Sequence, residues 1–286
     1  MINPLLECEL STFWSNQKYI PFENETKSLI QKEIQSKNPD LSFSLYFRNL
    51  RNGPWFGINE DTDFAPASLM KLPVAIAYLK WGEYNPEIWK LTLTWVADTT
   101  DDQNIVPKES ITIGKAYKIE ELIRFALIYS DNSANETLIE SLPKDIIYKV
   151  FTDLSLPIIA QLEAGENDYI SVKEYASFFR VLYNASYLTD GNSSYLLDIL
   201  SQSSMTWAIR ASIPDDIIVA HKFWERRLQN PDGSFTAQFH DCGIIYYSNY
   251  PYILCVMTKW SDDLPRLQKI VKDTSSIVFD EIRKRN

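Results

Sequence analysis

The sequence predicts an α+β (α/β) fold: an antiparallel sheet of about five strands, built from both ends of the chain and covered by N- and C-terminal helices. An all-helical domain is inserted between the two sets of strands. Three observations carry this expectation. Short strand-like runs lie toward both termini, and from Ser68 to about Leu200 the apolar spacing is nearly all helical. The links between strand-like runs are short turns, which join antiparallel neighbours.

Residues 1–22 are aromatic-rich and irregular, and are expected to be an extension packed on the body. Glu23–Lys37 carries Leu29, Ile30 and Ile34 at helical spacing. The run from Leu41 to Arg48 alternates apolar and polar residues, as a half-buried strand does, and Trp55–Asn59 returns after an Asn52-Gly53-Pro54 turn. Beyond the helical block, Ile217–Phe223, Cys242–Tyr247 and Tyr252–Thr258 are β-branched and aromatic runs. A last helix is expected over Leu264–Ile282, with Asp262 and Asp263 at its start and Arg283-Lys284-Arg285 at its end, matching the helix dipole. The expected organisation is therefore the extension 1–22, a sheet domain of 23–66 plus 207–286, and a helical domain of 67–206.

Composition narrows the function. The 286 residues are 45% hydrophobic and 23% charged, ordinary values for a folded chain. A net charge of −10 argues against nucleic acid and against an anionic membrane surface, since both require a basic face. Only 8 glycines are present, and no Gly-rich phosphate loop, His-Glu-x-x-His or cysteine metal set occurs. No cofactor or metal is expected. No apolar run approaches the ~20 residues of a membrane span, and no signal-peptide pattern opens the chain. A monomer acting on a small molecule is expected. The three cysteines leave open a Cys242–Cys255 bridge on neighbouring strands, with buried free thiols the simpler expectation. The two histidines, His221 and His240, fall in strand-like segments and read as core or edge residues.

Three Ser-x-x-Lys stretches occur: Ser15–Lys18, Ser68–Lys71 and Ser141–Lys144. Only Ser68 opens a buried apolar helix, where spacing of three puts Ser68 and Lys71 on one face. Unpaired N–H groups of a first helical turn can face a developing oxyanion. Pro73 lies just beyond and would break a helical hydrogen bond unless the helix bends or starts late. Tyr129-Ser130-Asp131-Asn132-Ser133 joins two helices, and Ser133–Glu136 reads as a capping box. Lys222 lies on an apolar strand in Val219-Ala220-His221-Lys222-Phe223-Trp224.

In this order and spacing the three elements resemble the penicillin-recognising serine hydrolases, with class A β-lactamases the most similar branch and D,D-peptidases (penicillin-binding proteins) the next. The resemblance runs from about residue 40 to the C-terminus. It implies an acyl-enzyme on Ser68, with Lys71 as base, Ser130 passing a proton to the leaving nitrogen, and Asn132 positioning Lys71 and substrate. Lys222 would lower the pKa of Lys71 and bind a substrate carboxylate, and the N–H groups of Ser68 and Glu225 would hold the oxyanion. It also implies an extracytoplasmic compartment, and a β-lactam or peptidoglycan peptide as substrate.

Two departures bear on turnover. The family's Lys-Thr-Gly is here Lys222-Phe223-Trp224. The hydroxyl that helps bind a carboxylate is gone, leaving Lys222 and Arg226 or Arg227, and an indole at Trp224 is expected to narrow the cleft. The family's Glu-x-x-Leu-Asn loop has no clear match either. Glu163 and Glu166 are the acids in that region, before a helix expected to start at Ser171. Deacylation is therefore expected to be slow. A binding protein that kept the fold, its cleft blocked by Trp224, is the expectation from outside enzymology.

Overall fold

The computed structural model describes residues 1–2, 20–96, 109–156, 168–230 and 232–285. Helix α1 (Glu23–Ile30) runs into a π turn and is followed by β1 (Ser42–Asn49), β2 (Trp55–Ile58) and the two-residue β3 (Asp63–Phe64). The helical block comprises α2 (Lys71–Tyr84), the small strands β4 (Thr92–Thr94) and β5 (Ala116–Lys118), α3 (Ile119–Ile128), α4 (Asn132–Ser141) and α5 (Lys144–Asp153). It continues through β6 (Ile170–Ser171), α6 (Val172–Tyr183) and α7 (Asp190–Ser201). The chain then returns to the sheet with β7 (Val219–Gln229), β8 (Phe235–Ile245) and β9 (Tyr252–Ser261), and ends in α8 (Leu264–Arg283).

The main sheet is five-stranded and antiparallel, in the order β2-β1-β9-β8-β7. Pairing of β1 with β9 closes the two chain ends around the helical block. Side chains alternate across the sheet, and two cores result. On one face Phe43, Leu45, Phe47, Leu254, Val256 and Phe239 meet apolar residues of α1 and α8. On the other, Tyr46, Cys255, Met257, Ile244 and Trp224 meet the helical block. Strand β9 is buried on both faces, which explains its unbroken apolar run.

Several local expectations change. The small pairs β3–β6 and β4–β5 interrupt what the periodicity presents as purely helical. Helix α4 starts at Asn132, capped by Asp131, whose carboxylate accepts the Ala134 N–H at 3.1 Å. Asp131 thus takes the role expected of Ser133, because its side chain is drawn inward by further donors. Cys242 and Cys255 stand opposite one another on β8 and β9, 4.0 Å apart at Cα, and are joined by a disulfide rather than left as free thiols. Gly243 is required where it stands: a Cβ there would lie 2.6 Å from the Ala220 carbonyl oxygen, so a side chain would push β8 away from β7 beside Lys222.

Candidate active site

Ser68 sits, partly exposed, in a 3₁₀ turn (Ala67–Met70) that leads into α2. The α-helix itself starts at Lys71, one turn later than Ser68. Pro73 then falls within the first turn, where an N–H has no intrahelical partner, and the expected break does not arise. Two contacts hold the turn. The Tyr175 hydroxyl donates to the Leu69 carbonyl at 3.0 Å, and Pro66 accepts the Leu69 N–H at 2.8 Å. Tyr175 is aimed there because Ser171 caps α6, its hydroxyl accepting the Glu174 N–H while Glu174 accepts the Ser171 N–H. Just upstream, β3–β6 pairing and a Tyr169 N–H to Phe64 carbonyl bond tie the chain before Ser68 to the chain before α6.

Lys71, Ser130, Asn132 and Lys222 converge. The Lys71 ammonium group donates to the Ser130 carbonyl at 2.5 Å, the Asn132 Oδ1 at 2.6 Å and the Ser130 Oγ at 3.2 Å. Lys222 donates to the same Ser130 Oγ at 2.8 Å. Ser130 holds this position with φ of 57°, in the left-handed region that non-glycine residues seldom adopt. The strain is sustained from below by Asp131, fully buried, whose Oδ2 accepts both the Ser110 hydroxyl and the Ile111 N–H at 2.8 Å.

Electrostatics follow from burial. Desolvation holds the Lys71 pKa well below the ordinary lysine value, with the Lys222 charge adding to the effect and Asp131 and Glu136 opposing it. Lys222 is wholly buried, and desolvation brings it down to about 7 against the supporting charge of Asp241. Two amines whose protons are weakly held thus share one hydroxyl. Such an arrangement can pass a proton between the two amines through the Ser130 hydroxyl.

Strand β7 is a sheet edge, and its register fixes which backbone groups are free. Tyr246 N–H bonds the Ile218 carbonyl, and Asn230 N–H bonds Ser234. The pairing between is unbroken, so even-numbered residues bond β8 and odd-numbered ones direct N–H and C=O outward. Glu225 N–H is therefore on the open edge, on the strand against which the Ser68 turn packs. Its carboxyl group turns the other way, accepting from Gln268 of α8 at 2.7 Å, and burial raises its pKa.

The remaining predicted positions divide. Trp224 does not stand in the open as a cleft wall: it is 3% exposed, its indole 4.8 Å from the His240 ring, which meets Phe64 edge-on at 5.3 Å. As an even-numbered residue of β7 it faces the helical block and joins that core. Phe223 is 2% exposed, with its ring 4.5 Å from the Lys222 Nζ and 6.3 Å from Trp207. Arg227 is engaged by Asp262 and stacked on Phe235 at 4.0 Å, while half-buried Arg226 faces Gln238 across the ladder. Glu163 and Glu166 lie outside the described residues. His221 and His240 are both buried; His221 bonds Asp241 at 2.9 Å and Asp241 also accepts the Ile209 N–H at 3.1 Å. Sequence reasoning assigned no role to Tyr175 or to Asp241. The Ser171 cap could have pointed to Tyr175. Among the described residues, no three His, Cys, Asp or Glu side chains are grouped to hold a metal.

The fold and this arrangement define the class: a penicillin-recognising serine hydrolase. The chain belongs to the beta-lactamase enzyme family, whose model matches residues 24–282. It is 24% identical to the beta-lactamase VEB-1 of Pseudomonas aeruginosa over 276 residues, covering 87% of this chain and 88% of that one. The fold matches PBP-A (TM-score 0.75, 20% identity, 92% and 97% of the two chains). It also matches a representative class A beta-lactamase from Bacteroides cellulosilyticus (TM-score 0.74, 17% identity, 91% and 99%). A point mutant of PBP-A, 21% identical over 92% of this chain and 97% of that one at a TM-score of 0.75, is an acyl-enzyme complex with penicillin G. Family and fold together support a function of the serine beta-lactamase or penicillin-binding type. No helix among the described residues is long and apolar enough to cross a membrane.

Proposed function

We propose that the protein forms an acyl-enzyme on Ser68 with β-lactams or D-Ala-D-Ala-like amides and releases it slowly. The observation that carries this reading is the Ser130 hydroxyl held between Lys71 and Lys222, at 3.2 and 2.8 Å. In its neutral form Lys71 directs its two hydrogens to the Ser130 and Asn132 carbonyl oxygens, which leaves its lone pair for the Ser68 proton. Ser68 Oγ attacks the carbonyl carbon as that proton moves to Lys71. The oxygen of the broken C=O double bond takes the negative charge and is met by the N–H groups of Ser68 and Glu225. When the C–N bond breaks, Ser130 gives its proton to the leaving nitrogen and recovers one from Lys71. Lys222, as a donor to Ser130 Oγ, keeps that hydroxyl's own hydrogen turned toward substrate. Asn132 orients Lys71 and the substrate's side-chain amide.

Hydrolysis of the adduct requires a base on a water molecule. The family's Glu-x-x-Leu-Asn pattern is not matched here, so the adduct should persist. The activity proposed is thus one between a slow β-lactamase and a D,D-peptidase. The acyl-enzyme of the PBP-A mutant with penicillin G supports the shared first step. Burial of Trp224 in the core favours an open site over a blocked one. An extracytoplasmic location belongs to the same reading, and the Cys242–Cys255 disulfide favours it; fractionation that found the protein only in a reducing cytoplasm would count against it.

The test is intact-mass analysis after mixing with benzylpenicillin. A lasting adduct on wild type, absent from Ser68→Ala, is expected. Rapid multiple turnover would make it an efficient β-lactamase with another deacylating group. No adduct on folded wild type would favour a binding protein.

A further inference from the structure

Strand β7 runs on past the site as an open edge. Its register with β8 is unbroken from Val219 to Gln229, with no bulge and no proline, two devices that commonly close an edge to further pairing. Its side chains are buried through Trp224 and half-buried or exposed from Glu225 onward. Odd-numbered residues direct N–H and C=O outward, so the edge groups of Arg227 and Gln229 continue the row that begins at Glu225. Glu225 to Gln229 spans about 13 Å at the rise of an extended strand. Two charges on this stretch are already engaged: the Glu225 carboxyl group accepts from Gln268, and Arg227 is held by Asp262 and Phe235. Arg226 stands on the face it shares with Lys222 and meets no acid among the described residues. Asp168, bonded to its ladder neighbour Gln238, is paired with Lys259.

We infer that β7 from Glu225 to Gln229 is a peptide-binding edge, and that the acyl donor it takes is an extended peptide with an acidic residue immediately before the one whose carbonyl Ser68 attacks. This rests on the reading of Ser68 as the nucleophile, which sets the direction. The leaving nitrogen meets Ser130, which Lys222 holds, so the acyl part runs from Glu225 toward Arg227, antiparallel to β7. With the attacked residue opposite Glu225, the third residue counted back from the scissile amide lies opposite Arg227. It exchanges both backbone hydrogen bonds with that edge position. The second lies opposite Arg226, and the side chain of an L-residue there falls on the same face, where a carboxylate is matched and an ammonium group is repelled.

The experiment uses full-length Ser68→Ala, which binds without reacting, and calorimetry with millimolar peptide. N-acetyl-L-Ala-L-Glu-D-Ala-D-Ala should bind at least tenfold tighter than N-acetyl-D-Ala-D-Ala. Arg227→Pro deletes one outward N–H where an edge strand tolerates proline, and should remove most of that gain, whereas Arg227→Ala keeps the N–H and should retain it. Methylating the L-alanine nitrogen of the long peptide should also remove most of the gain, with the protein left untouched. Lysine in place of the glutamate should weaken binding at least threefold, and Arg226→Ala should abolish that difference. Equal affinity of the long and short peptides, a gain that survives methylation or Arg227→Pro, a gain lost equally in Arg227→Ala, no preference for glutamate over lysine, or no binding of the long peptide would each overturn the inference. Acylation of wild-type Ser68 by benzylpenicillin is scored separately by mass, so an unreactive serine with an intact length preference would reject the mechanism and keep the edge assignment.

Discussion

At the scale of single residues, the site depends on two lysines that burial makes reluctant to hold protons. In the proposed mechanism Lys71 must be neutral to accept the Ser68 proton, and Lys222 serves Ser130 best as a charged donor, whose hydrogen bond is the stronger. Acylation should therefore fall on the alkaline side as Lys222 loses its proton near its value of about 7. Because the amines are close, the measured limb belongs to the pair. Lys222→Arg, charged at every accessible pH, should move the limb upward by more than one pH unit. A limb that stays in place would assign it to another group. Lys71→Met should slow acylation by about 10²-fold or more, the range for loss of a general base. An unchanged rate in stopped-flow acylation would remove Lys71 from that role. Peptide mapping of the adduct should find Ser68, and not Ser141, which also has a lysine three positions on but lacks the converging partners.

At the scale of elements, the turn that carries Ser68 and the edge strand β7 set the geometry together. The sequence reading expects Trp224→Gly to open the strand and speed acylation. Burial of that indole against His240 changes the expectation: the substitution should leave a cavity and destabilise the protein by about 3–5 kcal/mol, as Trp→Ala does in cores. Denaturant melts decide it, and a variant of wild-type stability that acylates faster would restore the cleft-wall role. Tyr175→Phe tests the turn. Losing its bond to the Leu69 carbonyl should cost about 1–3 kcal/mol, because a buried acceptor is left unpaired. Acylation should slow while binding to the Ser68→Ala background is retained, since the bond acts on the position of Ser68.

For the molecule as a whole, these buried amines oppose stability at neutral pH. Both have folded pKa values below those of an unfolded lysine, so the unfolded chain binds more protons between about pH 7 and pH 10. Stability must rise with pH across that window. Above it the sign reverses, because buried Tyr78, Tyr246 and Tyr252 have raised pKa values and the unfolded chain ionises its tyrosines first. Melting temperature should thus peak near pH 9–10. Lys222→Met, which abolishes the buried charge, should raise it at pH 7 by roughly 2–8 °C and by little at pH 9.5. An equal rise at both values would trace the gain to packing instead.

The sequence by itself determined the architecture and marked the candidate reacting groups. Alternation in the Leu41–Arg48 run, the helical spacing of Ile119–Ile128, and Ser-x-x-Lys followed by Ser130-Asp131-Asn132 are local patterns, and local patterns survive in one dimension. The start of α6 at Ser171 was equally legible, because a cap and its Glu174 partner lie three residues apart. What only the tertiary structure decided depends on contacts between distant segments. Lys71 and Lys222 share Ser130 Oγ across 151 positions of chain, a separation no spacing rule spans. The inward turn of Trp224 and the outward N–H of Glu225 follow from strand parity and from which strand forms the sheet edge. The disulfide, likewise, required the β8–β9 register before Cys242 could be set opposite Cys255. Side-chain chemistry is written residue by residue, whereas the direction in which each group points is fixed only when neighbouring strands and helices exclude the alternatives.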